Sequence, residues 1–90
     1  VVPASDRSAA TSAAVTRLAD AGVAVRALAT PTLHAKAMVA DRQVTYLGSV
    51  NFTRASFDDN REVGVVTRDA AIAARVGATL AADWAAALPP

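Results

Sequence analysis

The chain reads as an α/β protein in which helices flank a mixed β-sheet. Three observations carry that reading. Two windows, one over residues 8–21 and one starting at Asp69, repeat apolar residues at helical spacing. Between them lie short runs of small and β-branched residues that are too brief for helices. Gly22, Thr30-Pro31-Thr32 and Asp41-Arg42-Gln43 punctuate those runs. Strands placed between two long helices give a layered α/β architecture.

Taken in order, the first helix is expected over residues 8–21. Ser5, Asp6 or Ser8 can cap it, Ala10, Ala14, Val15 and Leu18 form its apolar stripe, and Gly22 stops it. Val23 to Ala29 reads as a strand. Leu33 to Ala40 reads as a second, apolar on both faces, which suggests a central strand covered on both sides. After the turn at Asp41-Arg42-Gln43, Val44 to Leu47 forms a third strand. Phe52 to Asn60 reads as a loop with one helical turn, and Glu62 to Val66 as a fourth strand. Asp69 caps the last helix, where Ile72, Val76, Leu80 and Trp84 recur every four residues before Pro89-Pro90 ends it. Trp84 on that stripe reads as a core residue.

Ninety residues suit a single domain, residues 1–90, with a modest core, because much of the 53% hydrophobic content is alanine. The chain opens on Val1-Val2-Pro3, which reads as the tail of a strand. A fragment or C-terminal half lacking the N-terminal part of its fold is therefore expected. No apolar run approaches membrane-spanning length. A net charge of +1 gives no general attraction to nucleic acid or anionic lipid, and the arginines form no cluster and read as solvated. With no cysteine and one histidine, the chain cannot assemble a three-ligand zinc site.

The most informative residues are His34 and Lys36, the only histidine and the only lysine, two positions apart in a chain whose other basic residues are eight arginines. In a strand, residues i and i+2 share a face, so both side chains are expected to point the same way. Ser49 and Asn51 share parity in the same manner. Asp41 lies at an odd offset from both His34 and Lys36, so it is expected to face away and to serve the turn. Gly48 would let the backbone approach a ligand or a neighbouring strand. An imidazole, an ammonium, a hydroxyl and a carboxamide suit phosphodiester transfer: the imidazole can attack phosphorus, and fixed donors can stabilise the growing charge on the nonbridging oxygens. A second, protonated imidazole must supply the leaving group with a proton, and this chain has no second one.

His34-x-Lys36-x4-Asp41-x6-Gly48-Ser49-x-Asn51 resembles the signature of the phospholipase D superfamily. All six fixed positions match, for which chance agreement is on the order of 10⁻⁸ per starting point. The resemblance covers about residues 22–84 and implies a phospholipase D-like half domain. It implies a phosphodiesterase working through a phosphohistidine, without a metal or other cofactor, on a phospholipid or a nucleic acid. Its second motif-bearing half would come from the same parent chain or from a homodimer, meeting an exposed face around His34 and Asn51. By position, His34 would be nucleophile or general acid, Lys36 and Asn51 would bind phosphate, and Ser49 would support them. Asn60-Arg61-Glu62 resembles the family's Asn-Arg-Glu segment, which implies that Glu62 orients the imidazole. A noncatalytic scaffold, dimerisation or phosphate-binding domain is the alternative. A cytoplasmic or membrane-associated parent protein is expected.

Overall fold

The computed structural model describes residues 1–6 and 8–90. In chain order the elements are β1 (Val2–Pro3), α1 (Ala9–Asp20), β2 (Ala27–Leu28), β3 (Lys36–Ala40), β4 (Val44–Gly48), a π-helical turn (Ala55–Asp59), β5 (Gly64–Thr67) and α2 (Ala70–Ala86). The strands form one parallel pair, β1–β2, and one antiparallel sheet in the order β3-β4-β5. The fold is mixed α/β, as the sequence predicts. The chain divides into two compact units, one of residues 1–34 and 81–90, the other of residues 35–80.

In the first unit, α1 begins where Ser8 Oγ accepts the Thr11 amide at 3.2 Å. Thr11 in turn donates its hydroxyl to Asp6 at 2.7 Å. The first contact satisfies an amide that has no partner within the helix, and the second fixes the carboxylate beside it. Gly22, with φ of +81°, takes the left-handed conformation that closes α1. The parallel β1–β2 pair needs a long crossover, and α1 provides it. Only Ala27 and Leu28 of the expected strand over 23–29 join a ladder, because β1 offers just two partners. Ala27 also makes an isolated antiparallel bridge to Leu88, which brings the chain end into this unit.

Arg26 is not solvated. Its guanidinium lies 4.9 Å from the Trp84 ring centroid. It donates to the Trp84 and Ala87 carbonyls at 3.0 and 3.2 Å. A fixed cation there neutralises carbonyls left open where α2 ends. A single residue can do this without a basic cluster, which is why composition does not reveal it. Trp84 is half-buried beneath this cation.

In the second unit, β3 and β4 form a hairpin closed by a turn with positive φ at both Asp41 and Arg42. The Gln43 amide donates to the Ala40 carbonyl at 2.9 Å. This is the primed turn geometry that matches the twist of the flanking strands. β4 is the central strand of the three, and Thr45 on it is fully buried. The expectation of a doubly covered central strand over 33–40 is corrected: β3 is an edge of this sheet and begins at Lys36, because its ladder ends at the Lys36–Gly48 pair. Likewise β5 begins at Gly64, two residues after Glu62.

Asp69 caps α2, its carboxylate accepting the Ile72 amide at 2.9 Å. The expected stripe of α2 holds at Val76, Leu80 and Trp84, which are half-buried, and fails only in the first turn. Ala73 is buried while Ile72 is 41% exposed.

Candidate active site

The sheet register brings Lys36 and Gly48 of the motif together at one end of the second unit. Lys36 pairs with Gly48, and Gly48 pairs with Gly64, so the start of β3, the end of β4 and the start of β5 share one cross-strand row. Glycine at both later positions has a steric cause. Tyr46 lies on the same face, and its ring covers the row: a Cβ at Gly48 would lie 2.2 Å from Tyr46 Oη and 2.8 Å from the Val63 carbonyl oxygen. At Gly64 it would lie 2.4 Å from the ring. Gly48 thus admits a neighbouring strand and an aromatic ring, one of the two uses foreseen for it. Tyr46 Oη is buried and meets no hydrogen-bond partner among the described residues.

Beyond this row the strands give way to a polar network. The Ser49 amide still donates to the Val63 carbonyl at 2.9 Å, in ladder fashion. The return bond, from the Val63 amide, goes to Ser49 Oγ at 3.1 Å. A side-chain hydroxyl has replaced a backbone carbonyl as acceptor. Ser49 Oγ donates onward to Glu62 Oε2 in a short hydrogen bond. Glu62 Oε1 accepts from the Asn60 carboxamide at 3.3 Å. The bend at Ser49 interrupts strict alternation, which would otherwise send Ser49 to the face away from Lys36.

Glu62 is the only glutamate in the chain. The Ser49 hydroxyl, followed by that of Ser56, holds its carboxyl below the usual glutamate range. Asn60 and the positive charge of Lys36 act in the same direction. Glu62 is therefore a carboxylate at neutral pH, within electrostatic reach of the Lys36 ammonium.

Ser56 is the site residue that sequence reasoning missed. It is buried, and its hydroxyl accepts the Asn51 amide at 3.2 Å. The segment from Asn51 to Asn60 wraps around it. Thr53 Oγ1 accepts the Ser56 amide at 3.3 Å, and the Asn60 amide reaches the Ala55 carbonyl at 2.8 Å, closing the π-helical turn. A Thr-x-x-Ser pattern with a helical turn behind it was the available signal. Asn51 itself is exposed, and its backbone is fixed by this serine.

Asp41 sits at the hairpin tip, with φ of +53°. That is roughly 16 Å along β3 from Lys36, at about 3.3 Å per residue. Aspartate tolerates this left-handed conformation better than most residues, which fits a turn role. His34 is exposed and precedes Lys36 by two residues, just before β3. Two concavities, of about 870 and 570 Å³, line none of His34, Lys36, Ser49, Asn51 and Glu62. Among the described residues, no group of three or more histidine, cysteine, aspartate or glutamate side chains could hold a metal ion.

A family model described as cardiolipin synthase, PLD-like domain, matches residues 3–84. The chain belongs to the phospholipase D superfamily. The match extends upstream of the stretch that the sequence motifs alone cover, taking in α1. Among solved structures, the crystal structure of Nuc, a phospholipase D family member from Salmonella typhimurium, superposes with a TM-score of 0.87 at 24% sequence identity. The likeness covers 97% of this chain and 59% of that one, so the phospholipase D-like fold is shared over part of the Nuc chain. No curated protein matches.

Proposed function

We propose that this chain contributes one half of a phosphodiesterase active site. The observation that carries the reading is the Ser49–Glu62 hydrogen bond at the end of the row formed by Lys36, Gly48 and Gly64. It gathers a carboxylate, a hydroxyl and an ammonium on a rigid sheet end, two residues along the chain from His34.

In this reading Lys36 and the Asn51 carboxamide bind the nonbridging oxygens of the phosphodiester. Their fixed positive charge and donors act most strongly as negative charge grows in the transition state. The His34 imidazole, or its counterpart in the second half, attacks phosphorus while the bond to the leaving oxygen breaks. The other imidazole, protonated beforehand, gives that oxygen a proton. It then takes a proton from water, the water oxygen attacks phosphorus, and the nitrogen–phosphorus bond breaks to regenerate the first imidazole. Glu62, kept ionised by its hydroxyl donors, supports the imidazole that needs basicity. Ser49 supports the carboxylate.

One imidazole cannot be neutral nucleophile and protonated acid at once, so the site needs a partner half, from the parent chain or from a second copy. The exposed β5 edge fits that need. Val65 and Val66 point to opposite faces and are 61% and 68% exposed.

The test is turnover of a water-soluble chromogenic phosphodiester by wild-type protein and by His34→Ala. Activity is expected to vanish in the variant and to survive a metal chelator, because Lys36 supplies the positive charge and Asn51 a hydrogen-bond donor. If the halves come from two copies, specific activity rises with protein concentration and falls when His34→Ala protein is mixed in. Undiminished turnover by His34→Ala would overturn the proposal. Phosphate binding without turnover when both halves are present, in the parent chain or in a dimer, would assign the noncatalytic alternative instead.

A further inference from the structure

Three residues of the polar network are each followed by an exposed large apolar residue. Asn51 is followed by Phe52, Ser56 by Phe57 and Glu62 by Val63, exposed by 79%, 64% and 75%. The two phenyl rings are not independent. Their centroids lie 6.2 Å apart at an interplanar angle of 51°, within the range of favourable ring pairs. Both come from the segment that Ser56 ties down, so the pair is held in place. Scattered exposed apolar residues are ordinary, but three of them bordering one polar cluster are not.

The charges around this border discriminate between ligands. Arg54 is neutralised by Asp58 in an ion pair of 3.1 Å. Asp59, Arg61 and Glu62 follow in sequence. Acidic groups therefore equal or outnumber basic ones beside the rings. A polynucleotide carries further phosphates on either side of the reacting one, and these would meet a border where Arg54 and Arg61 are already matched by Asp58 and Asp59, with no excess of cations to hold them. A phospholipid carries a single phosphodiester in its headgroup, with apolar matter beyond it. We infer that Phe52, Phe57 and Val63 form an apolar lip that seats the site on the surface of a phospholipid aggregate. The rings enter the acyl boundary and leave Lys36 and Asn51 at headgroup depth. The inference rests on the phosphate-binding reading above and adds a surface to it.

The experiment is sedimentation of the protein with zwitterionic phosphatidylcholine vesicles at low and high salt, beside binding to a single-stranded oligothymidylate. Wild type and His34→Ala are expected to bind the vesicles equally, with little salt dependence. The double variant Phe52→Ser, Phe57→Ser is expected to lose vesicle affinity by roughly tenfold per ring, from the apolar area withdrawn. Its turnover of the water-soluble phosphodiester is expected to be unchanged. A Phe52→Trp variant guards against misfolding of the double variant. Its added emission should shift to the blue on vesicle addition, beyond any change from Trp84. Vesicle binding that survives the double substitution would overturn the inference. So would a loss of oligothymidylate binding or of oligomeric mass with vesicle binding intact, which would make the rings a base-stacking platform or an interface between copies. Vesicle binding with the expected ring dependence but no turnover when both halves are present would uphold the lip and sink the catalytic reading.

Discussion

The two units each hold a carboxylate depressed by hydroxyl donors, and only one of them borders a candidate site. Asp6 is lowered chiefly by the Thr11 hydroxyl, with Ser8 adding its amide and hydroxyl. Glu62 is lowered chiefly by the Ser49 hydroxyl, with Ser56, Asn60 and Lys36 adding to it. The local chemistry is nearly the same. The surroundings differ. Asp6, Ser8 and Thr11 use their polar atoms on each other and on the first turn of α1, so the cluster is spent on closing a helix. Ser49 and Glu62 lie past the last paired row of a sheet, where a side-chain hydroxyl replaces a backbone carbonyl as acceptor and an ammonium is close enough to act. A depressed carboxylate is thus no marker of function on its own. What marks the second cluster is a cation in reach and a position at strand ends.

Five substitutions can break or sharpen that contrast. The largest effect is expected at Lys36. Lys36→Ala should lower kcat/KM by roughly a thousandfold or more, since it removes transition-state charge stabilisation. Circular dichroism melting should barely move. Next comes the carboxylate pair. Glu62→Gln is expected to lower kcat by about 10–100-fold, as loss of an imidazole's outer partner commonly does. Asp6→Asn should leave kcat untouched. Equal kinetic effects of the two would erase the distinction drawn here. Gly48→Ala is expected to cost about 1–3 kcal/mol by denaturant unfolding, because the Val63 carbonyl and the Tyr46 ring occupy the methyl's place. Ser8→Ala is the smallest, about 1 kcal/mol from the lost cap, with full activity retained.

Acid titration sharpens the comparison further. Both carboxyls are depressed in the folded state, so each binds its proton less readily there than in the unfolded chain. The stability they contribute is present above the ordinary carboxylate range and is lost as pH falls through the lowered folded values. Unfolding midpoints followed downward from neutral pH should therefore decline only in that acid window. The decline should be shallower in both Asp6→Asn and Glu62→Gln.

Much of this was legible in the sequence where a local rule has one answer. Ser8 and Asp69 cap their helices, Gly22 ends α1, and Asp41-Arg42-Gln43 turns the chain. The motif spacing placed His34, Lys36, Ser49 and Asn51 in one short stretch, and the turn expected at Asp41 is where the hairpin reverses. The rest depended on contacts that are remote in sequence. Strand limits at 23–29 and 33–40 were overrun, since a ladder ends where its partner ends and β-propensity does not record that. Arg26 serves Trp84 and Ala87 from nearly sixty residues away. Ser56 has no apolar pattern to announce burial, because its burial follows from the fold of the 51–60 segment around it.

The central claim is that the strand-end cluster of the second unit binds a phosphodiester's phosphate. An NMR titration of amide shifts with inorganic vanadate tests it most directly, since vanadate stands in for the pentacoordinate phosphoryl group. Saturable shifts are expected at Lys36, Ser49 and Asn51, and at His34 two residues before Lys36, with residues 9–20 unmoved and the response abolished in Lys36→Ala. Shifts confined to Arg26 and the end of α2, or a response undiminished by Lys36→Ala, would contradict it.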